Sequence, residues 1–294
     1  MKKNVRFAVV AQLLLLFIAC DQPKFPIDRY YDYDSTFPLE DSVRIETETD
    51  EYVMYYVTYR SFHDAMVTGL LTIPKNASAP VPTIIFLHGI QNHKQTDYME
   101  VGHQYFIASG YAVMRIDIAN HGDRKIHDYD FGLTEGYRYW TRDIAAQTVF
   151  DLRRATDFLQ TQSEIDSERI GFFGISLGGI IGTVFCGVDK RIKVPVIALA
   201  GGGMHLAFKL KAFAPETRIF LSIIDPFNFV EKIAPRPLLM LNAENDEVVS
   251  PLTSRNLYRK AGHPKKIVWY PKKHGDVPLN QAFPEAIKWF KEHL

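Results

Sequence analysis

From residue 83 onward, short apolar runs alternate with stretches of helical periodicity. The apolar runs are Thr83–Leu87, Ala112–Ile118, Arg169–Phe173, Val194–Leu199, Pro237–Leu241 and Lys266–Tyr270. Such runs are typical of strands buried on both faces of a sheet. Segments with three- and four-residue apolar spacing separate them: Tyr98–Ser109, Thr141–Gln160, Leu177–Cys186, Ser250–Ala261 and Gln281–His293. The alternation predicts an α/β fold with a mainly parallel central sheet and helices on both faces.

Other segments depart from this alternation. Val53–Tyr59 and Met66–Ile73 are β-branched, alternating runs separated by a short connection, which predicts a hairpin. His121–Tyr139 and Gly201–Ala234 are too long for simple connections, so we expect both to be lid or pocket-forming insertions. Residues 51–294 would then form the catalytic domain, preceded by a tether and N-terminal extension over residues 20–50 that is rich in Asp, Pro and Tyr.

The first residues predict export. Lys2, Lys3 and Arg6 precede the apolar stretch Phe7–Ile18, which is too short to span a bilayer comfortably. The sequence Phe-Ile-Ala-Cys that ends at Cys20 resembles the lipobox of bacterial lipoproteins, with Phe where Leu is usual. We therefore expect residues 1–19 to be a lipoprotein-type signal peptide and Cys20 to be lipidated, which anchors the chain to a membrane of the cell envelope. The alternatives are ordinary signal cleavage, giving a periplasmic or secreted protein, and an uncleaved anchor or a misread start.

Composition excludes several classes of protein. Lys plus Arg number 34 and Asp plus Glu number 34, so there is no basic excess to neutralise nucleic-acid phosphates. The two cysteines, Cys20 and Cys186, do not form a disulfide framework, and no Cys/His group has structural-zinc spacing. The hydrophobic content of 47% is ample for a large core. We expect stability to come from packing.

A candidate nucleophile lies between a predicted strand and a predicted helix. Gly174-Ile-Ser176-Leu-Gly178 is a G-x-S-x-G motif, directly after an apolar run and before a helical segment. This arrangement predicts a nucleophile elbow, a turn so tight that side chains at Gly174 and Gly178 would collide with neighbouring backbone. A glycine-rich helix start is the structural alternative. We expect Ser176 to project at the carboxyl end of the sheet.

A serine nucleophile needs a base and a carboxylate that orients the base. Glu244, Asp246 and Glu247 follow a buried strand, and Asp246 is the preferred acid because Glu244 lies nearer the strand and Glu247 precedes a new apolar pair. His274 follows the final predicted strand and is the preferred base. The order Ser, acid, His is the one this type of sheet uses. His205 and His263 are better explained as solvated or structural residues.

Acyl transfer also needs hydrogen-bond donors for the oxyanion. We expect the backbone N–H of Leu177, at the helix start, and that of Ile90, in the loop after the first buried strand. His88 more plausibly holds this loop than acts as a base. The group Asp117, His121 and Asp123 admits a metal site, although a hydrogen-bonded loop that shapes the pocket is the preferred interpretation. The aromatic residues of the first insertion either line the pocket or pack within the insertion.

These residues resemble those of the α/β-hydrolase superfamily, and within it the dienelactone-hydrolase and prolyl-oligopeptidase-like serine esterases. The resemblance covers about Tyr52–Leu294 and rests on His88-Gly89, Gly174–Gly179, Asp225-Pro226, Ile233–Leu238, Glu244–Asp246 and His274–Asp276. It implies the α/β-hydrolase fold, with Ser176, Asp246 and His274 in the triad positions. It also implies that Ile90 and Leu177 provide the oxyanion donors. Ser176 departs from dienelactone hydrolases proper, which carry cysteine at the elbow.

We therefore expect a serine carboxylesterase-type hydrolase that forms an acyl-enzyme on a small-molecule ester. Short acyl chains are expected, because no long apolar lid helix is evident. The predicted chemistry requires no metal and no organic cofactor, and the predicted contact with a membrane is through the N-terminal lipid only. A prolyl-oligopeptidase-type peptidase, an acyltransferase and a non-catalytic binding lipoprotein of the same fold are the alternatives.

Overall fold

The computed structural model describes residues 26–128, 132, 138–206 and 214–294. The chain divides into two units between Asp32 and Tyr33. The described part of the first unit contains a short 3-10 turn, Ile27–Arg29. The second unit carries every element discussed below. The predicted signal peptide and Cys20 lie outside the described residues.

Within the described residues, nine strands form one sheet. They are β1 (Ser42–Glu48), β2 (Tyr52–Arg60), β3 (Met66–Pro74), β4 (Val81–Leu87), β5 (Ala112–Ile116), β6 (Ile165–Ile175), β7 (Ile192–Ala198), β8 (Leu238–Ala243) and β9 (Lys265–Tyr270). Their order in the sheet is β1-β2-β3-β5-β4-β6-β7-β8-β9. Strands β4 to β9 run parallel to one another, whereas β1 to β3 pair in antiparallel fashion and β3 pairs antiparallel to β5. The predicted hairpin and the predicted parallel sheet are both confirmed.

Helices cover both faces of this sheet. They are α1 (Asp97–Ala108), α2 (Arg138–Thr161), α3 (Leu177–Val188), α4 (Pro215–Leu221), α5 (Pro251–Lys260) and α6 (Leu279–His293). Helices α1 and α6 contact each other, and α2 and α3 form a second contacting pair. The α/β prediction is confirmed. Among the described helices, none has the length and apolar character needed to cross a membrane.

An aromatic cluster fills the space between the sheet and helices α1 and α6. Phe86 on β4 and Phe173 on β6 are both fully buried, and their rings meet edge-to-face. Phe106 of α1 and Phe283 of α6 complete the cluster, each contacting both strand residues. Edge-to-face pairs add to the area burial of such large side chains. This cluster fixes α6 against the strands that carry the candidate nucleophile.

Strand β1 lies within residues 20–50, for which the sequence predicts a tether and extension and no strand. Ser42–Glu48 pairs with β2, but all seven of its residues are exposed. Val43 and Ile45 alternate with polar residues, but this short run holds only these two apolar side chains and both are exposed, so it gives a weak strand signal. The hydrogen-bonded sheet therefore begins earlier in the chain than its buried core.

The strand order places the candidate residues at a topological switch point. From β4 the chain first adds β5 on one side and then returns to add β6 on the other. Ligands of open α/β sheets bind in the crevice outside the carboxyl ends of the strands at such a point. The loops that begin at His88 and at Ser176 follow β4 and β6, so both lie at this crevice.

One buried histidine couples stability to pH. His103 of α1 is 1% exposed, its ring packs edge-on against Tyr52, and neither ring nitrogen has a hydrogen-bond partner within the described residues. Burial, assisted by the nearby Arg115 charge, lowers the pKa of His103 to about 3. In the unfolded chain this histidine has the ordinary pKa of about 6.5. The neutral ring therefore contributes stability that is fully present above pH 6.5 and is lost as the pH falls toward 3.

We predict that the free energy of unfolding falls between pH 6.5 and pH 4, with about 3 kcal/mol of the loss at pH 4 due to His103. His103→Phe should flatten this pH dependence, as measured by urea unfolding at a series of pH values. His293→Phe, at an exposed position, is the control and should keep the wild-type slope. The same slope in wild type and His103→Phe would contradict the prediction.

Candidate active site

The turn between β6 and α3 holds Ser176 in a strained conformation. Its φ of 55° and ψ of −117° lie outside the regions favoured by residues with side chains. The N–H of Ser176 donates to the carbonyl of Ala198 at 2.9 Å, which ties the turn to β7. Surrounding structure has to impose such a backbone, and strain of this kind clusters at functional sites.

Two glycines allow the turn. A Cβ at Gly174 would lie 2.4 Å from the carbonyl oxygen of Gly178, and a Cβ at Gly178 would lie 2.4 Å from that of His88. Both distances are far below van der Waals contact. The backbone of the Ser176 turn thus packs directly against the loop after β4, as the motif predicted.

Three distant side chains meet at this edge of the sheet. His274 Nε2 lies 3.0 Å from Ser176 Oγ, and His274 Nδ1 lies 2.7 Å from Asp246 Oδ2. They converge because Ser176, Asp246 and His274 follow the parallel strands β6, β8 and β9, whose carboxyl ends share one edge. The structure therefore brings together the three residues that the sequence singled out.

The backbone selects Asp246 from the three neighbouring acids. Its Oδ1 accepts the N–H groups of Val248 at 2.9 Å and Val249 at 2.7 Å, which leaves Oδ2 for His274. The Asp246 side chain is 3% exposed. Glu244 is exposed, and Glu247 is 60% exposed and pairs with Lys273. Only Asp246 is positioned to orient the imidazole.

This geometry assigns the histidine protons. A carboxylate only accepts hydrogen bonds, so His274 Nδ1 carries a hydrogen and donates it in the hydrogen bond to Asp246. The lone pair of Nε2 then faces the hydroxyl of Ser176. The arrangement is that of a serine with a general base in reach and a third group that orients the base.

His88 fixes the loop after β4. Its Nδ1–H donates to the carbonyl of Gly89 at 2.7 Å, and its Nε2 accepts the N–H of Ile118 at 3.0 Å. Burial lowers the pKa of His88 to about 4, so the ring stays neutral. A structural role was the preferred prediction for His88, and these contacts support it. In a trans peptide the C=O and N–H point in opposite directions, so the N–H of Ile90 is directed away from the His88 ring.

The two predicted oxyanion donors have free amides. Within the described residues, neither the N–H of Ile90 nor that of Leu177 donates a hydrogen bond to the protein. Ile90 lines the same cavity as Ser176, and Leu177 is the first residue of α3, where the helix dipole adds positive potential. Their role toward a substrate stays a prediction.

The acidic loop after β5 is bound by a lysine. The ammonium of Lys94 lies 2.5 Å from Asp117 and 2.7 Å from Asp123, and Lys94 is 2% exposed. The Nδ1 atom of His121 lies 3.0 Å from the carbonyl oxygen of Ala119, so this nitrogen is not directed at either carboxylate. The contacts favour the hydrogen-bonded, pocket-shaping loop over the metal site. Because Asp117 also accepts the backbone N–H of Lys94, it anchors the far end of the loop that begins at His88.

A cavity of about 350 Å³ opens beside Ser176 and His274. Its walls come from the loop after β4, the start of α1, the ends of β6 to β8 and the start of α6. No described residue of the two predicted insertions lines it. Tyr139 instead packs against Phe220, and Trp140 against His127, within the insertions. Tyr129, Phe131 and Tyr137 lie outside the described residues.

Sequence patterns did not single out Tyr98. Its hydroxyl accepts the N–H of Gly89 at 2.8 Å and lines the cavity. Burial raises the pKa of Tyr98 to about 12, so the hydroxyl stays protonated. Tyr98 lies in the first turn of α1, where a sequence alone offers no sign that a tyrosine turns toward the preceding loop.

The sequence pattern of the acetyl xylan esterase (AXE1) family matches residues 33–199, more than half of the chain. The chain belongs to this family. The predicted class, an ester hydrolase, is therefore confirmed at the level of the family, and the finer resemblance to dienelactone hydrolases stays a prediction.

Solved structures share the fold. The acetyl xylan esterase from Paenibacillus sp. R4 superimposes with a TM-score of 0.75 at 20% identity, covering 91% of this chain and 94% of that protein. Acetyl xylan esterase 1 from Thermoanaerobacterium sp. JW/SL YS485 gives a TM-score of 0.74 at 18% identity, covering 90% and 92% of the two chains. The predicted α/β-hydrolase fold is confirmed.

Curated relatives match a smaller share of this chain than these solved structures do. The putative hydrolase YtaP of Bacillus subtilis is 27% identical over 195 residues, 60% of this chain and 64% of the relative. Esterase FrsA of Serratia proteamaculans is 21% identical over 266 residues, 83% of this chain and 60% of the relative. The chain thus spans less than two-thirds of the length of either relative.

Proposed function

We propose that this chain hydrolyses carboxylic esters through Ser176, His274 and Asp246. One observation carries the proposal: a single imidazole lies 3.0 Å from the serine hydroxyl through one nitrogen and 2.7 Å from a buried carboxylate through the other. Membership of an esterase family supports the same reaction type.

In the proposed reaction Ser176 Oγ attacks the acyl carbon while His274 Nε2 takes its proton. Asp246 stabilises the imidazolium that forms. The N–H groups of Ile90 and Leu177 bind the developing oxyanion, and His274 then passes its proton to the departing alcohol. Water repeats the sequence on the acyl-enzyme and regenerates Ser176.

We further propose that the acyl group is short. The described chain offers no long apolar lid helix over Ser176, and the family name refers to an acetyl ester. A screen of p-nitrophenyl esters from acetate to palmitate should therefore favour chains of up to about eight carbons over the longer members of the series. Best turnover on palmitate would overturn this part of the proposal.

An active-site label tests the nucleophile. A fluorophosphonate should modify wild-type protein once, at Ser176, as shown by peptide mass spectrometry, because only an activated serine reacts. Ser176→Ala should lose both the adduct and ester hydrolysis. Ser163→Ala removes an exposed serine and should behave as wild type. Undiminished labelling of Ser176→Ala would sink the proposed mechanism.

Substitutions at Asp246 and at the adjacent Glu247 test which carboxylate orients His274. Asp246→Asn should lower kcat by roughly 10³- to 10⁴-fold, because the amide cannot hold His274 in the required tautomer. Glu247→Gln removes a charge one residue away that does not reach His274, and its kcat should stay within about twofold of wild type. Equal losses in the two variants, measured on p-nitrophenyl acetate, would contradict the assignment of Asp246.

We also propose that the chain is exported and lipid-anchored at Cys20. The positively charged start, the short apolar stretch and the cysteine that follows support this proposal. The lipid would confine the catalytic domain to a membrane surface of the cell envelope.

Metabolic labelling with an alkyne fatty acid in a bacterial host tests this anchor. The wild-type chain should incorporate the label, and Cys20→Ala should lose it. Cys186→Ala is the matched control, since Cys186 is the other cysteine and is fully buried in α3. Labelling that persists in Cys20→Ala would disprove lipidation at this residue.

A further inference from the structure

The cavity beside Ser176 extends from the triad into the apolar core. Phe173, Leu241, Ala282 and Phe283 line the cavity, and all four also belong to the buried cluster between the sheet and helices α1 and α6. Ser176 and His274 line it as well. A group of a bound ester that enters this space is therefore covered by the core itself, without a lid.

Few polar side chains line the cavity. Apart from Ser176 and His274, the polar side chains that line it are Asn92 and Tyr98. Asn92 donates to the carbonyl of Ile90 at 2.8 Å, and Tyr98 accepts the N–H of Gly89, which leaves the Tyr98 O–H and Asn92 Oδ1 for a ligand. The rest of the lining is aliphatic, aromatic or backbone. A sugar placed here would leave most of its hydroxyl groups unpaired, which is costly, whereas a hydrocarbon group would not.

The size of the cavity exceeds that of an acetyl group. Its volume is about 350 Å³. Since a water molecule takes about 30 Å³ of liquid, this space holds about a dozen non-hydrogen atoms. Each methylene buried in an apolar site gains about fourfold in affinity. An acetyl group would leave most of this gain unused.

Building on the proposed function, we propose that this cavity binds a hydrocarbon chain of the substrate ester, with an optimum at about four to eight carbons. The chain belongs to the acyl group or to the alcohol, since the cavity borders both the loop of Ile90 and that of His274. The family is named for an acetyl ester, and this cavity has room for a longer chain than acetyl.

Two substrate series separate the two sources. One holds p-nitrophenol constant and lengthens the acyl chain from acetate to dodecanoate, and the other lengthens the alcohol of acetate esters from ethanol to octanol. We expect kcat/KM to rise on the order of tenfold or more to an optimum at middle length in one series and to fall beyond it. A decline from the shortest member onward in both series would overturn the inference, while a single Ser176 adduct would show that the esterase proposal stands.

Variants change the cavity without touching the triad. Ala282→Leu adds three carbons to its wall. In the series that shows the optimum, this variant should move it to about two or three carbons, with at least a tenfold loss on the six-carbon member. Leu279→Ala, at a half-buried position, should move the optimum toward longer chains, which keeps the test informative if Ala282→Leu folds poorly. Gln281→Leu is the matched control on an exposed position of the same helix and should keep the wild-type profile. Unchanged profiles in both cavity variants would overturn the proposal.

A binding arm makes the test independent of catalysis. In Ser176→Ala protein, ethyl hexanoate or hexyl acetate should raise Tm more than the same concentration of ethyl acetate, because the longer chain binds the folded state more tightly. Combining Ser176→Ala with Ala282→Leu should remove the difference. Equal shifts for all three esters in Ser176→Ala would contradict a hydrocarbon site even if no ester were hydrolysed.

Discussion

The site depends on one close backbone contact, between the turn that carries Ser176 and the loop that begins at His88. Gly178 approaches the carbonyl oxygen of His88 so closely that no side chain fits there. The contact supports the turn that holds Ser176 in its unfavourable backbone conformation. In the proposed mechanism the nucleophile and both oxyanion donors, the N–H groups of Ile90 and Leu177, lie on these two segments and so depend on the same packing.

Charged groups secure the other end of this loop. Lys94 is buried between Asp117 and Asp123, and its own backbone N–H is also bound by Asp117. Removing one partner of a buried ion pair leaves an uncompensated charge. The lysine and both carboxylates are therefore all needed to hold the loop in place. His88 at one end and Lys94 at the other thus limit how far the loop can move.

The sequence predicts those site residues whose type and position are distinctive, and misses those that resemble ordinary loop or core residues. Ser176 and His274 were predictable because a glycine-flanked serine between a strand and a helix, and a histidine after the last strand, are position-specific signals. Asp246 was harder, since the choice among three acids depends on the amides of Val248 and Val249. The cavity could not be predicted, because Phe173 and Phe283 are residues that any packed core would contain.

Strand β1 also has a consequence for how the molecule behaves among its copies. Among the described strands it ends the sheet, and no described strand pairs with its outer side. A register break between Ile45 and Thr47 interrupts its ladder, and the charged side chains of Arg44, Glu46 and Glu48 are placed along it. Irregular, charged borders resist the docking of another strand. A border of this kind disfavours edge-to-edge pairing of the nine-stranded sheet with the same strand of another copy.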